Sequence, residues 1–321
     1  MIKAIILFAI GLVMLIKGGD WFVDGATGIA HSFQVPELLI GATVVSIGTT
    51  LPEVMVSATS AVSGHGEIAY GNAIGSVICN TALIAALTIA IRPSEVNKKS
   101  LITPVSFFFG AAILYSFVAY VLGEYTRTIG IILLSIFVAY MIILVISAIK
   151  GEPTELKADE EIDIKPLWQN LLPLILGAAV IAVGADLLVD NGTIIAKELG
   201  VPESVIALTF VALGTSLPEL VTAITALAKG HSSLSLGNII GANLFNLVLV
   251  SGLSITLNPF NLPAGKTIAG MNASLLIDIP VMFTVMLIMT LPAIIKGRLA
   301  RWQGISLLAI YVAFITFQFI G

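Results

Sequence analysis

The sequence predicts an all-α polytopic membrane protein in which ten transmembrane helices form two five-helix repeats of inverted topology. Three observations predict this fold: the apolar composition, a duplication, and an odd number of apolar spans in each half. Of the 321 residues, 58% are hydrophobic and 11% are charged, whereas a soluble domain carries about 25% charged residues. The mean hydropathy is +1.06. We therefore expect the lipid bilayer around most of the chain, and the net charge of −4 without a basic patch argues against a nucleic-acid partner.

The apolar runs are long enough to cross a hydrocarbon core, which takes about 20 residues per helix. The first run lacks the small-residue cleavage site of a signal peptide and its counterpart recurs in mid-chain, so we expect it to be retained as a helix. An acidic segment, 150–167, is expected to link the halves 1–149 and 168–321. The ten spans are expected at about 3–30, 36–62, 68–91, 101–121, 128–149, 168–196, 202–228, 234–257, 272–292 and 302–320.

Two segments of forty-nine residues match each other without a gap, within longer repeats at about 36–91 and 202–257. Ile40–Thr88 and Ile206–Ser254 are identical at eighteen positions. The gapless match pairs Ile40 with Ile206, and every other matched pair of residues has the same separation along the chain. We call this separation the repeat offset. Because each half holds five spans and five is odd, the second half must enter the membrane from the opposite side. The sequence therefore predicts an inverted repeat about a pseudo-two-fold axis in the membrane plane.

The positive charges of the loops predict the orientation, because lysine and arginine accumulate on the cytoplasmic side. We expect ten of these residues in one set of loops and four in the other, which places both termini outside the cell and the 150–167 linker in the cytoplasm. The larger set is Arg92, Lys98, Lys99, Lys150, Lys157, Lys165, Lys229, Lys296, Arg298 and Arg301, and the smaller set is Lys3, Arg127, Lys197 and Lys266.

A proline–glutamate motif lies in the middle of one span in each half. Gly48–Glu53 reads GTTLPE and Gly214–Glu219 reads GTSLPE. Each proline lacks an N–H, so we expect the carbonyl of the motif's glycine to be left without its helical partner and the helix to be broken there. Lipid offers such a carbonyl no donor. Carbonyls, hydroxyls and a carboxylate together make an all-oxygen shell that suits Ca²⁺ and Na⁺; a proline kink stabilised by its own hydroxyls is the alternative.

The two motif glutamates, Glu53 and Glu219, must be considered together. An ionised carboxylate in hydrocarbon costs several kcal/mol. Two carboxylates about 5 Å apart would repel each other by about 3 kcal/mol at an effective dielectric of 20. The pair should therefore always hold a proton or a cation, which favours exchange over uniport.

A polar stripe follows each proline motif, on the next span. Asn72, Ser76 and Asn80 are spaced four residues apart and share one helix face, and Asn238 and Asn246 repeat the pattern. Glycines beside the stripe, in the pattern GN-I-G, permit close helix packing. For Asn72 and Asn238, interhelical hydrogen bonding without ion contact is an equal alternative.

In combination, the two motifs resemble the alpha-repeats of the cation/Ca²⁺ exchanger superfamily, in its prokaryotic sodium/calcium exchanger branch, and the resemblance covers the whole chain. It implies a secondary active antiporter that exchanges three Na⁺ for one Ca²⁺ by alternating access, is electrogenic and normally extrudes Ca²⁺. It also implies that the chain is not an enzyme, that it needs no cofactor besides the transported ions, and that it functions as a monomer in the cell membrane.

The same resemblance implies four cation sites between the second, third, seventh and eighth helices. It implies that Ca²⁺ is bound by the Glu53 and Glu219 carboxylates and by the carbonyls of Thr49 and Thr215. It implies that Na⁺ is bound by Glu53, Glu219, Ser46, Thr49, Thr50, Ser76, Asn80, Ala212, Thr215, Ser216 and Asn246, with the backbone carbonyl as the ligand at Ser46 and Ala212.

Two positions depart from the family pattern. Ala242 stands where the family usually has a serine at the outer Na⁺ site, which affects the expected affinity of that site. Asn246 stands where potassium-dependent members have an aspartate, which argues against K⁺ cotransport.

Three other functions remain as alternatives. A proton/Ca²⁺ exchanger could use the same glutamates, although protons would not need the surrounding hydroxyls. An intramembrane protease would need a nucleophile–base arrangement that the motifs do not contain. A channel would need a polar stripe across the whole bilayer.

A few charged residues outside the motifs are ambiguous. Lys17 and Asp20 are one turn apart and are expected to pair or snorkel. The four acids Asp20, Asp24, Asp186 and Asp190 either line ion entry or fix helix ends. Asp278 is more consistent with a structural hydrogen bond than with transport. His65 and His231 are expected at helix ends, with a regulatory pH role as a minor alternative.

Overall fold

The computed structural model describes residues 1–150, 166–199, 214–263, 267–268 and 270–320, apart from the side chains at 148–150, 196, 319 and 320. These residues form ten helices and three short antiparallel strand pairs, β1–β6, β2–β3 and β4–β5. The helices are α1 (Ile2–Ser32), α2 (Glu37–Val62), α3 (Gly66–Ile91), α4 (Lys98–Leu122), α5 (Arg127–Lys150), α6 (Leu167–Glu198), α7 (Leu217–Ala228), α8 (Ser232–Leu257), α9 (Ser274–Lys296) and α10 (Arg301–Ile320). The strands are β1 (Ser94–Glu95), β2 (Glu124–Tyr125), β3 (Phe260–Asn261), β4 (Thr267–Ile268), β5 (Met271–Asn272) and β6 (Arg298–Leu299).

Eight helices within the described part of the chain are long and apolar enough to cross a membrane, namely α1 to α6, α8 and α9. The helix α7 is a shorter apolar helix that begins after a turn at 214–216. The first half of the predicted seventh span, 202–213, lies outside the described residues. The all-helical prediction is thus confirmed, and each described helix falls on one of the ten expected spans.

Contacts between loops define two ends of the bundle, which we call the Met1 end and the Lys229 end. At the Met1 end, the N-terminal amine contacts Glu198 at 3.1 Å, and β2 pairs with β3. At the Lys229 end, the Lys229 ammonium contacts Asp24 at 2.7 Å, and β1 pairs with β6. These contacts among the described residues all join parts of the chain that ten successive passes would place at the same end.

The helices α1 and α6 pack against each other along their full length. A Cβ atom added at Gly11 would lie 2.8 Å from the Gly184 carbonyl oxygen, and one added at Gly25 would lie 2.6 Å from the Leu174 nitrogen. Only glycine lets two backbones approach this closely. The helix α1 packs far more extensively on α6 than on any other element, so the two helices form a distinct pair at one side of the bundle.

The helix α8 is the most buried span, at 83% of its apolar window. Gly237 packs directly on the Leu38 backbone, and a Cβ atom added at Gly241 would lie 2.7 Å from the Ala42 Cα atom. Close packing is predicted for Gly71 and Gly75, and it is observed at their repeat equivalents, Gly237 and Gly241. At the repeat offset, the corresponding partners of the first-copy glycines would fall within 204–208, a stretch that lies outside the described residues.

The expectation of a broken helix is wrong for the first proline motif. The segment Ser46–Val62 is continuous with Pro52 inside it, because the bonds that flank a proline can hold the helix together although one donor is missing. In the second copy a turn precedes α7, and Pro218 lies in the first turn of that helix. In this second copy the Gly214 carbonyl is not free, since it accepts a hydrogen bond from the Leu217 N–H at 3.3 Å.

Among the described residues, five helices contain a π-helical segment, in which one extra residue widens a turn. One segment, Gly41–Val45, directly precedes Ser46. Two others, Asn80–Ala85 and Asn246–Val250, begin at equivalent asparagines of the two repeats. Such bulges occur frequently at functional sites.

Candidate ion-binding site

Two carboxylates are buried in the centre of the bundle. Glu53 on α2 and Glu219 on α7 are each 0% exposed, and no described residue forms a hydrogen bond with any of their four carboxylate oxygens. Glu53 lies within electrostatic reach of Glu219. Two acids at equivalent positions of the repeats are therefore brought together, as the sequence predicts.

Hydroxyl groups surround the two carboxylates in a crossed arrangement. The Thr215 hydroxyl, in the turn before α7, lies within interaction range of the Glu53 carboxylate on α2. The Thr49 and Thr50 hydroxyls of α2 lie within interaction range of the Glu219 carboxylate on α7. Each acid is thus faced by hydroxyls of the opposite repeat, so α2 and the start of α7 cross at this level.

Thirteen buried side chains have polar atoms without a partner among the described residues, and six of the thirteen occupy equivalent positions of the two repeats. An unpaired buried polar group costs about 1–3 kcal/mol, so a set of them indicates a ligand. The six fall into three pairs related by the repeat offset: Thr50 with Ser216, Glu53 with Glu219, and Asn80 with Asn246. Both amide atoms of each asparagine are unpaired, and each asparagine begins a π-helical segment.

Other predicted ligands are placed less symmetrically. The Ser46 hydroxyl donates to the backbone carbonyls of Gly41 at 2.7 Å and Asn238 at 2.9 Å. The hydroxyl is therefore already engaged, and the backbone carbonyl of Ser46 stays the predicted Na⁺ ligand. Ser76 is buried on α3, with 4% of its surface exposed, whereas Ala212 lies outside the described residues. The helix α8 contributes Ala242, fully buried, at the position equivalent to Ser76.

The two stripe asparagines, Asn72 and Asn238, make interhelical hydrogen bonds. The Asn72 amide donates to the Ser57 hydroxyl at 2.8 Å and to the Glu53 backbone carbonyl at 3.3 Å. The side-chain amide oxygen of Asn238 accepts a hydrogen bond from the Thr49 hydroxyl at 3.2 Å. Both asparagines therefore fix α2, which carries the first proline motif.

Three of the ambiguous acids, Asp20, Asp24 and Asp278, have structural partners. Asp20 pairs with Lys229 at 3.4 Å and Asp24 contacts the same ammonium at 2.7 Å, so both acids join α1 to the end of α7. Asp278 accepts hydrogen bonds from Ser274 at 2.7 Å and Gln318 at 2.9 Å, which agrees with the structural interpretation.

Sequence reasoning missed one buried polar contact near the site. The Asn243 amide on α8 donates to the Thr81 hydroxyl on α3 at 2.7 Å and to the Met286 sulfur on α9 at 3.3 Å. All three side chains are 0% exposed. The only signal in the sequence was the presence of Thr81 and Asn243 in apolar spans, directly after Asn80 and three residues before Asn246.

A histidine–glutamate pair links two loops at the Lys229 end. The His231 Nδ1 atom lies 2.7 Å from a Glu37 carboxylate oxygen, and the His31 Nε2 atom lies 4.0 Å from the same oxygen. The hydrogen bond with Glu37 raises the pKa of His231 above its usual 6.5, with Asp24 adding to the rise and burial and Lys229 opposing it. The His231–Glu37 ion pair therefore contributes stability fully below about pH 6.5 and progressively less as the pH rises through the raised pKa.

We expect His231→Asn to lower the thermal unfolding temperature more at about pH 6 than at about pH 8.5. A double-mutant cycle with Glu37→Gln should give a coupling at acid pH that weakens at alkaline pH. The measurement is thermal unfolding of the purified protein in detergent. A loss of stability that is equal at both pH values would show that the ion pair does not form.

A bundle of apolar helices that encloses a pair of unpartnered carboxylates, hydroxyls and amides is typical of a membrane transporter of cations. The sodium/calcium exchanger protein family model matches residues 3–146 and 170–320. The chain belongs to this family.

Individual relatives cover nearly all of the chain. The chain is 30% identical to the sodium/calcium exchanger MaX1 of Methanosarcina acetivorans, over 98% of both chains. It is 33% identical to the putative antiporter CaxA of Alkalimonas amylolytica, over 100% of this chain and 99% of that protein. The solved structure of the sodium–calcium exchanger NCX_Mj, soaked with 10 mM Na⁺ and 10 mM Sr²⁺, matches with a TM-score of 0.81 and 30% identity, over 98% of each chain. The protein is thus a multi-pass membrane antiporter of Ca²⁺ and other cations, not an enzyme; its transported ions are Na⁺ and Ca²⁺, and it needs no cofactor.

Proposed function

We propose that this protein exchanges three Na⁺ for one Ca²⁺ at a single central site, by alternating access, and that it normally extrudes Ca²⁺ electrogenically. The observation that carries the proposal is the set of three repeat-related pairs of buried, unpartnered polar side chains. Carboxylate, hydroxyl and amide oxygens are the ligands that hard cations prefer.

The charge of the site favours exchange. Two ionised carboxylates in a low-dielectric interior are stable only when cations compensate them. One Ca²⁺ neutralises Glu53 and Glu219, and Na⁺ ions compete for the same two groups. The empty, doubly charged site is the least stable state, so the protein reorients with one cargo or the other bound.

We assign the ligands as the sequence predicts. Ca²⁺ is held by Glu53 and Glu219 with the carbonyls of Thr49 and Thr215. The proposed Na⁺ shell adds Ser46, Thr50, Ser76, Asn80, Ala212, Ser216 and Asn246. The fully buried position of Ala242, which has no hydroxyl, supports a weaker Na⁺ site on α8 than the equivalent site on α3.

We further propose two inverted halves, 1–149 and 168–321, with ten membrane spans in total, functioning as a monomer. The loop contacts at the two ends of the bundle are compatible with this topology. The positive-inside rule supports a cytoplasmic Lys229 end, a cytoplasmic linker at 150–167 and extracellular termini.

Reorientation is proposed to occur by sliding of the α1–α6 pair against the other helices. The extensive contact between α1 and α6, compared with the smaller contact of either helix with the rest of the bundle, supports movement of the pair as one unit. The ion-binding side chains on α2, α3, α7 and α8 would then stay fixed while access to them changes.

The experiment that tests the exchange is isotopic Ca²⁺ flux in proteoliposomes with Na⁺, K⁺ and H⁺ gradients imposed separately. We expect a Na⁺ gradient alone to drive Ca²⁺ uptake, and the rate to respond to membrane potential because three positive charges exchange for two. We expect no effect of a K⁺ gradient, since Asn246 is neutral. Ca²⁺ uptake driven by a pH gradient without Na⁺ would instead establish proton/Ca²⁺ exchange.

A further inference from the structure

The contact of Asn243, Thr81 and Met286 joins helices of both repeats, and the repeat-equivalent positions do not form a second contact of this kind. At the repeat offset, the position equivalent to Asn243 is Val77 and the position equivalent to Thr81 is Leu247. Both equivalents are apolar and fully buried. The fold can therefore be packed without this hydrogen bond, as it is at the equivalent positions.

The contact is also costly. The side-chain amide oxygen of Asn243 is buried without a hydrogen-bond partner among the described residues. An unsatisfied buried acceptor disfavours folding. A valine in the place of Asn243, as at Val77, would avoid that cost. A requirement other than stability explains the asparagine better.

The place of the contact suggests what this requirement is. Thr81 is the second residue of the π-helical segment Asn80–Ala85, and Asn243 lies three residues before the segment Asn246–Val250. In a π-helical turn the backbone bonds are less regular than in an α-helix, so a side-chain contact is needed to fix the rotation of the chain. Asn243 and Thr81 supply that contact where both segments begin.

We propose that Asn243 and Thr81 are positioning residues for ion exchange: their hydrogen bond, against the Met286 sulfur, holds α3 and α8 in the rotation that directs Asn80 and Asn246 to the ions. Neither residue touches the ions itself. The proposal rests on the ion exchange proposed above and adds a specific coupling between α3, α8 and α9.

The test compares Thr81→Val, which keeps the shape but removes the hydroxyl, with Thr81→Ser, which keeps the hydroxyl. We expect Thr81→Val to raise the Na⁺ and Ca²⁺ concentrations for half-maximal exchange by about five- to tenfold, the effect of one ordinary hydrogen bond, and Thr81→Ser to restore them. Asn243→Val should have the same effect, and the double variant should be no worse than either single variant. The maximal rate should not fall. The unfolding temperature without ions should fall more in Thr81→Val, which leaves the Asn243 amide without its hydroxyl acceptor, than in the double variant, which removes both polar groups.

Two readouts keep the proposal falsifiable. A lower unfolding temperature with unchanged half-maximal concentrations would show that the contact is only structural and would overturn the proposal, as would a Thr81→Ser variant as impaired as Thr81→Val. If Asn243→Val does not fold, the comparison of Thr81→Val with Thr81→Ser alone decides whether the contact has a positioning role. If the unmodified protein does not exchange Na⁺, the proposed function fails, whereas the positioning role is still measured by the Ca²⁺ concentration that raises the unfolding temperature.

Discussion

We expect Glu53→Gln and Glu219→Gln each to reduce Na⁺-driven Ca²⁺ uptake by at least about a hundredfold. Removal of one charge from a buried ionic arrangement costs about 3–5 kcal/mol, and the neutral amide leaves Ca²⁺ with only one compensating carboxylate. The measurement is isotopic Ca²⁺ uptake into proteoliposomes with an outward Na⁺ gradient.

The same variants should unfold at the same or a higher temperature than the unmodified protein when neither Ca²⁺ nor Na⁺ is present, because each removes a buried carboxylate without a partner among the described residues. They should also lose the rise in unfolding temperature that Ca²⁺ binding produces. Glu67→Gln is the matched control, since Glu67 is exposed at the start of α3 and should behave as the unmodified protein. Normal uptake by either buried-site variant would refute the assignment of the site.

A disulfide between α1 and α7 is expected to stop transport. A Cβ atom added at Gly19 would lie 3.6 Å from the Thr225 Cβ atom, which is within the range that disulfides span. If the α1–α6 pair slides against the bundle, oxidised Gly19→Cys/Thr225→Cys should lose Ca²⁺ uptake, and a reductant should restore it. Cys79→Ala provides the background, because Cys79 is the only native cysteine.

A cross-link within the moving pair is the control. A Cβ atom added at Gly184 would lie 3.0 Å from the Met14 Cβ atom and 3.0 Å from the Gly11 carbonyl oxygen, so Met14→Cys/Gly184→Cys joins α1 to α6 after a shift of a few tenths of an ångström. We expect this variant to transport Ca²⁺ after oxidation, since both helices move together. Transport by the oxidised Gly19/Thr225 variant would rule out sliding of α1 against α7.

The duplication made the centre of the site accessible to prediction. A glutamate after a proline is ambiguous in one copy, but Glu53 and Glu219 at a constant offset, in halves with five spans each, must face each other. The same logic identified Asn80 and Asn246. Their burial without partners in the structure agrees with the expectation from the repeat pattern.

Features without a repeat counterpart could not be predicted. Lys17 was expected to pair with Asp20 because they are one turn apart, but the tertiary contact with Lys229, which lies 209 residues away along the chain, replaces the local one. The Thr81–Asn243 hydrogen bond joins two helices across the repeats, and π-helical turns leave no clear periodicity in a span that is apolar on most faces.

The continuous helix at Pro52 shows a further limit of the sequence rules. A proline inside a helix removes one donor, but neighbouring packing decides whether the helix breaks. The start of α2 packs against Gly237 and Gly241 of α8, and the helix persists. In the second copy a turn forms before Pro218, although the two motifs differ at a single residue.

The lysine at the end of α7 has a consequence for the energetics of the whole cycle. Asp20 and Asp24 share Lys229 at one end of the bundle, whereas at the other end the equivalent acids, Asp186 and Asp190, have Ser63 at the lysine's position. Two identical inverted halves would make the inward-facing and outward-facing forms mirror-related and equal in free energy. With the Lys229 bridge at one mouth and Ser63 at the equivalent position of the other, that degeneracy is lifted, and we expect the two forms to differ in free energy.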